Sequence, residues 1–308
     1  MTASVAESEA WQRAQIRRRA FALSYLALGV GALGLGVSAI FVRWANAPGA
    51  VTSFYRMAIA TALLAWPFYR RVKARGGLPR RGLWFALLGG LFSAAALAFW
   101  ATGVMLSGAT NPTLLANTAP LWVGLGALLI FCEKLNATFW MGLLLALAGA
   151  LVVLGLDALK ATSLGLGTLL GLLAGAFYGG YFLITQRGRE HLDALAYFWP
   201  AALSSTLSLL ALSLVLGQPL TGYPPSTYAS LLALGLVTQV LGYLAINYAL
   251  GVLPASIVSP TLLAQPVVTA LLAGPLLGEW LNVWQVACGL AVLSGIYLVH
   301  RSRQATPG

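Results

Sequence analysis

The sequence predicts an all-α polytopic membrane protein, with ten transmembrane helices in two inverted five-helix repeats around a central cavity. Three observations lead there. Residues are 59% hydrophobic and only 8% charged, and mean hydropathy is +0.84. A soluble domain carries about 25% charged residues, so this chain has too little charge to cover a soluble surface. A segment near the end of the first half returns in the second. Finally, Lys and Arg fall almost entirely between alternate apolar runs.

The repeated segment spans Phe99 to Leu135. Pro112-Thr-Leu-Leu-Ala-Asn117 returns as Pro260-Thr-Leu-Leu-Ala-Gln265, an offset of 148 residues from Pro112 to Pro260. Phe99-Trp-Ala-Thr-Gly-Val-Met105 is echoed by Asn247-Tyr-Ala-Leu-Gly-Val-Leu253. Pro120 returns as Pro266, an offset of 146, and Cys132-Glu-Lys-Leu135 as Gly278-Glu-Trp-Leu281. A two-residue difference therefore sits between the amide and the proline.

The elements follow in order. Residues 1–20 are a polar segment ending in Arg17, Arg18 and Arg19, with no cleavage site after the apolar run behind it. A spanning helix needs about 20 apolar residues. Ten such runs are predicted at 21–42, 49–69, 82–105, 110–131, 135–155, 164–186, 193–216, 226–250, 254–277 and 281–300. They group as repeats 21–155 and 164–300, with 301–308 as a tail. With the N-terminus inside, fifteen Lys and Arg lie on the inner side, and only Arg43 and Lys160 lie outside. That asymmetry places both termini in the cytoplasm. Five is odd, so the second copy must be inverted. Inverted repeats are the architecture of secondary transporters, with the substrate near the bilayer midplane where the repeats meet.

Candidate residues follow from what a bilayer tolerates. Pro120 and Pro266 fall mid-span and each removes a backbone donor, which requires a protein or wet-cavity partner nearby. They predict two kinked helices at a cavity, with Asn117 and Gln265 as hydrogen-bonding groups; a plain packing kink is the alternative. Trp100, Tyr178, Tyr181, Tyr243, Asn247, Tyr248 and Gln239 are polar-tipped side chains within spans, and such groups turn to the bundle interior. Arg56 lies inside span two, where a charge marks a functional position, a latch or a snorkelling side chain. Gly167, Gly171, Gly175 and Gly179 lay a smooth stripe on span six, for tight packing or for a gate. Glu133 and Glu279 close spans four and nine on opposite faces, as interfacial carboxylates or gate contacts.

Other classes find little support. Neither Cys132 and Cys288 nor His191 and His300 form a metal-ligand or disulfide pattern, and no cofactor is expected. Gly29-Val-Gly31-Ala-Leu-Gly34 matches a dinucleotide motif, but inside an apolar span it reads as packing. The net charge of +11 is a topology signal beside spans, not a nucleic-acid patch. No Asp or Glu is predicted in the middle of any span, so a carboxylate proton relay lacks its groups. An enzyme would need an acid-base pair inside the bundle. A channel remains a competing class, distinguished by flux that does not saturate.

The duplicated Pro-Thr-Leu-Leu-Ala segments, the proline pair and the two glutamates resemble the drug/metabolite transporter superfamily, EamA type, over essentially the whole chain. Phe99-Trp100 and the Thr110–Pro120 stretch most resemble the YddG-type aromatic amino acid exporters. The resemblance implies a ten-helix basket in the inner membrane whose partners are the lipid bilayer and a small solute leaving the cytoplasm: an aromatic amino acid, an amphipathic cation or another metabolite. It also implies a cavity built from Trp100, Asn117, Tyr178, Tyr243, Asn247 and Gln265, and it is compatible with a monomer.

Overall fold

The computed structural model describes residues 2–107, 110–154, 165–278 and 282–304. Glu279, Trp280 and Lys160 lie outside the described residues. In a bilayer every backbone polar group must be satisfied within the chain, which leaves helices as the solution for apolar runs of this length. Among the described residues, eight helices are long and apolar enough to cross a membrane. Gly49–Arg75, which carries Arg56, and the 18-residue Ala137–Leu154 complete ten spans.

Span one is Thr2–Ala45, so the polar segment expected to precede it continues the same helix. Its Ala, Glu, Gln and Arg residues are good helix formers, and no Gly or Pro interrupts them before the apolar run. Span two is Gly49–Arg75 and span three Arg80–Ser107. Span four is broken into Thr110–Ala116 and Ala119–Ile130, and span five is Ala137–Leu154. Span six is Leu166–Arg189 and span seven Ala194–Val215. Span eight runs Pro225–Ala249, with a π-helical stretch at Leu234–Tyr243. Span nine is Ala255–Thr261, a 3-10 turn at Leu262–Ala264, then Gln265–Leu277. Span ten is Val283–Gln304.

The packing is that of interdigitated repeats. Span three packs on span six, and span eight on span one; span three packs on span seven, and span eight on span two. Span four meets span six as span nine meets span one, while spans two and seven, and five and ten, pair across the axis. Each of these contacts maps onto another, or onto itself, when the halves are exchanged. The main packing therefore runs between the two halves. Small residues let backbones approach where apolar burial gives no drive between helices in lipid. On Gly142 of span five, a Cβ would lie 2.7 Å from the Gly295 carbonyl oxygen of span ten.

The two chain ends share one membrane face. There Arg71 and Arg75 reach Asp193 at 3.0 and 2.7 Å, and Arg303 reaches Glu133 at 2.8 Å. On the opposite face the Tyr55 hydroxyl donates to the Leu220 carbonyl, and the Thr227 hydroxyl to the Ala45 carbonyl. A large buried cluster lies mostly in the half nearer the termini and includes Tyr181, Phe182, Ile246, Leu250 and Val258.

Pro120 corrects one expectation. It does not kink a continuous helix but sits in the first turn of a second helical segment, where the missing N–H would have had no intrahelical partner. Span nine stays helical through Pro266, because the 3-10 turn at Leu262–Ala264 runs directly into Gln265–Leu277. The two extra residues of the first copy turn a 3-10 constriction into a full break at Asn117–Thr118. Local side chains occupy nearby carbonyls there: the Asn117 amide donates to the Thr113 carbonyl at 2.8 Å, and the Thr118 hydroxyl to the Leu115 carbonyl at 2.6 Å.

Candidate functional site

Ten helices packed in this way leave a large central cavity, of about 590 Å³. It extends from mid-bilayer to the helix ends on the face opposite the termini, since Val42, Val153 and Gln285 are on its wall. Both halves contribute. Trp100 stands on the third span, and its indole N–H donates to the Thr113 hydroxyl of the broken fourth span at 2.9 Å. That bond fixes the ring against the wall and satisfies its one polar atom. Behind it, Phe92 and Phe99 pack on Phe177.

The floor is a tyrosine pair. The Tyr178 and Tyr243 hydroxyls are 2.6 Å apart. One hydroxyl donates to the other, which leaves one O–H proton for a third group. Asn117 and Gln265, the amides of the duplicated motif, meet at the cavity and also line a second space of about 110 Å³ beneath it. Pro266 lies on the main wall and Pro120 on the lower one.

Tyr181 and Asn247 are brought close but do not reach the cavity. Both are buried directly below the floor, in the half nearer the termini. The Asn247 amide donates to the Tyr181 hydroxyl at 3.1 Å and to the Tyr243 carbonyl at 2.8 Å. Its Oδ1 has no hydrogen-bond partner among the described residues. Below them the Thr185 hydroxyl meets the Tyr197 hydroxyl at 3.0 Å, and the Arg189 Nε donates to the Asn247 carbonyl at 2.7 Å. This is a polar column inside an otherwise apolar plug. Tyr248, by contrast, is exposed away from the cavity.

Arg56 does not snorkel. It turns inward to the cavity, and its Nε and Nη2 both donate to Gln239 Oε1, at 3.0 and 2.6 Å. Its guanidinium carbon lies 5.6 Å from the centre of the Tyr243 ring. Gln239 is fully buried and comes from the π-helical stretch. Such stretches recur at functional sites, because the wider turn re-aims side chains. No Asp or Glu is found on the cavity wall among the described residues.

The glycine stripe packs closely on span four. A Cβ on Gly175 would lie 2.7 Å from both the Leu115 carbonyl oxygen and the Thr118 hydroxyl, and one on Gly179 would lie 2.7 Å from Trp122 Cβ. Both glycines therefore seat the break of span four against span six. Three features had no clear mark in the sequence. Thr113, Thr269 and Gln285 line the wall, yet isolated hydroxyls and a terminal amide are common in spans. The π-helix has no composition cue. The Arg56–Gln239 pair joins residues 183 apart, and no local pattern announces it.

The geometry is that of a helical bundle whose central cavity opens toward one side. The EamA-like transporter family matches residues 22–155 and 165–301, one match for each half of this cavity. The chain belongs to the EamA-like transporter family. An uncharacterised protein of Pseudomonas aeruginosa, PA1977, is 32% identical over 252 residues, covering 82% of this chain and 84% of that one. The uncharacterised transporter YdfC of Bacillus subtilis is 25% identical over 187 residues, 61% of this chain and 59% of that one. A solved crystal structure superposes with a TM-score of 0.73 at 19% identity, covering 92% of this chain and 99% of its own. At that identity the likeness concerns the fold alone. As a member of the EamA-like family the protein is a multi-pass membrane protein of a small-molecule transporter class.

Proposed function

We propose that this protein exports small amphipathic metabolites, aromatic amino acids foremost, across the inner membrane by alternating access, with both termini in the cytoplasm. The observation that carries the reading is the cavity. It is closed on the face of the termini, formed by both inverted halves, and lined by Trp100, Tyr178, Tyr243, Asn117 and Gln265. Its volume is in the range that encloses a small organic ligand. An apolar wall with a few fixed polar groups suits flat solutes that carry an amino or carboxyl group.

In this reading Trp100 stacks on the substrate ring, while Asn117, Gln265 and the Tyr178–Tyr243 pair receive its polar groups. Tyr181 and Asn247 are reached next. Their buried polar column lies where the path to the cytoplasm must open, so they line the cavity in the inward-facing state. Pro120 and Pro266 mark the break of span four and the 3-10 turn of span nine, about which the halves of each span move, and the Gly175–Gly179 stripe is the surface along which span four shifts on span six. The plug beneath the floor favours a carrier over a channel.

Binding of L-tryptophan, L-phenylalanine, L-alanine and L-glutamate to purified protein in nanodiscs tests the assignment by calorimetry. Saturable binding of the two aromatic amino acids, and at least about tenfold weaker binding of the other two, is expected. Equal binding of L-alanine and L-phenylalanine would remove the aromatic assignment and leave the fold and family untouched.

A further inference from the structure

A charge inside a membrane span is costly and is kept where it meets a counter-charge, backbone carbonyls or a wet cavity. Arg56 is the seventh residue after Gly49, which puts it about 10 Å along the helix from that end. Its side chain is only partly buried. Among the described residues no carboxylate pairs with it; its acceptor is the neutral amide of Gln239. A guanidinium has five N–H donors, and Gln239 takes two, which leaves three. The two used bonds occupy the Nε–Nη2 edge. The Nη1–Nη2 edge therefore remains, and it is the edge that binds a carboxylate end-on with two parallel hydrogen bonds. The Gln239 amide is held in turn, because its Nε2 approaches Met57 Sδ at 2.9 Å. Arg56 is thus fixed in one orientation before anything binds, as a specific anion site requires.

Two neighbours complete a receptor for one chemical group. The Tyr178–Tyr243 pair has one unspent hydroxyl proton, and Tyr243 is also the ring beside Arg56. Trp100 and the apolar Leu35 and Leu97 line the same cavity. A solute with a carboxylate at one end and a flat apolar body at the other matches the charged and the apolar parts of this lining. A lipophilic cation matches the apolar wall but meets an unneutralised positive charge.

We propose that Arg56, positioned by Gln239, is a carboxylate anchor that makes this carrier select monocarboxylate solutes and reject amphipathic cations. The proposal rests on the reading of this cavity as the transport site, and it narrows the substrate class rather than the aromatic preference.

Three probes that differ in one group test it: L-phenylalanine, 3-phenylpropionate and 2-phenylethylamine, titrated into wild-type protein in nanodiscs. The two carboxylates are expected to bind, and the amine to bind at least about 100-fold more weakly. Arg56→Gln should weaken both carboxylates by about 10- to 100-fold and leave the amine the same or tighter. Arg56→Lys keeps the charge without the fork and should fall between. Amine binding as tight as that of L-phenylalanine to the wild type would overturn the anchor, and that comparison needs no variant to fold. So would unchanged carboxylate affinity in an Arg56→Gln protein that elutes as a single monodisperse species. L-Leucine and hexanoate separate the two ideas. If they bind as well as the aromatic probes and lose affinity in Arg56→Gln, the anchor stands and the aromatic reading falls. If no carboxylate probe binds at millimolar concentration, both fall.

Discussion

Trp100 is a residue with two duties, a ring facing the cavity and an N–H spent on Thr113 at 2.9 Å. Stacking between aromatic rings contributes about 0.5–1.5 kcal/mol beyond area. Trp100→Ala should therefore raise the half-saturation concentration for tryptophan transport by roughly 2- to 12-fold. Trp100→Phe should recover most of that, because the ring returns without the Thr113 bond. An unchanged half-saturation value in both variants would remove the stacking role. This residue was legible in the sequence as a polar-tipped aromatic within a span. The role of Arg56 was only half legible. Its position inside a span marked it, but its inward turn depends on a glutamine 183 residues away, and the sequence alone allowed snorkelling equally.

At the scale of the element, the broken fourth span and its counterpart, the ninth with its 3-10 turn, form the distinctive pair. The duplicated Pro-Thr-Leu-Leu-Ala segment and the prolines behind it were visible in the chain, and so was the two-residue difference between copies. What the prolines did to the backbone was not visible. A proline reports a lost donor, and that loss is compatible with a kinked helix or with the start of a new one. The structure has the second arrangement at Pro120, while span nine runs on through a 3-10 turn into the segment that begins Gln265-Pro266. Span six is fitted to the break through Gly175, where a Cβ would crowd the Leu115 carbonyl and the Thr118 hydroxyl at 2.7 Å. Gly175→Ala should cost about 1–3 kcal/mol, the usual penalty for overpacking, seen as a lower melting temperature in detergent. Gly29→Ala is the matched control, since nothing lies within 4 Å of its Cβ position; it should leave the melting temperature unchanged or slightly raised. Equal effects of the two would contradict the close approach.

Across the whole molecule, composition, repeat and charge distribution were enough to give ten helices in two inverted halves. They could not show which half of the cavity is closed, because exchange of the halves maps one state on the other. Contacts on the face of the termini hold the closed side. Glu133 accepts from the Ser256 hydroxyl at 2.6 Å and pairs with Arg303 at 2.8 Å, so it ties spans four, nine and ten. The Arg187 guanidinium caps the Phe131 ring at 4.4 Å. Glu133→Gln should weaken this clasp and shift the population toward the state open on that face. The check is the maleimide labelling rate of Ala255→Cys, in a background lacking Cys132 and Cys288; it should rise, and an unchanged rate would remove the clasp. Asp193, at the same face, is pushed upward by burial, but the Ala196 N–H, Arg71 and Arg75 outweigh this and hold its carboxyl below the usual aspartate value. Its stabilising contribution is complete above the ordinary pKa of about 3.9. It is lost as pH falls through the lower folded-state value. Asp193→Asn should therefore lower the melting temperature at pH 7, and its gap from the wild type should shrink below about pH 3.9.

The central claim is that one cavity, shared by two inverted halves, carries aromatic solutes by alternating access. Counterflow in proteoliposomes tests it most directly. Vesicles are loaded with unlabelled phenylalanine, tryptophan, threonine or glutamate, and trace labelled phenylalanine is added outside. Transient accumulation of label is expected with the two aromatic loads and not with the other two. No accumulation under any load, from folded and inserted protein, would contradict the account.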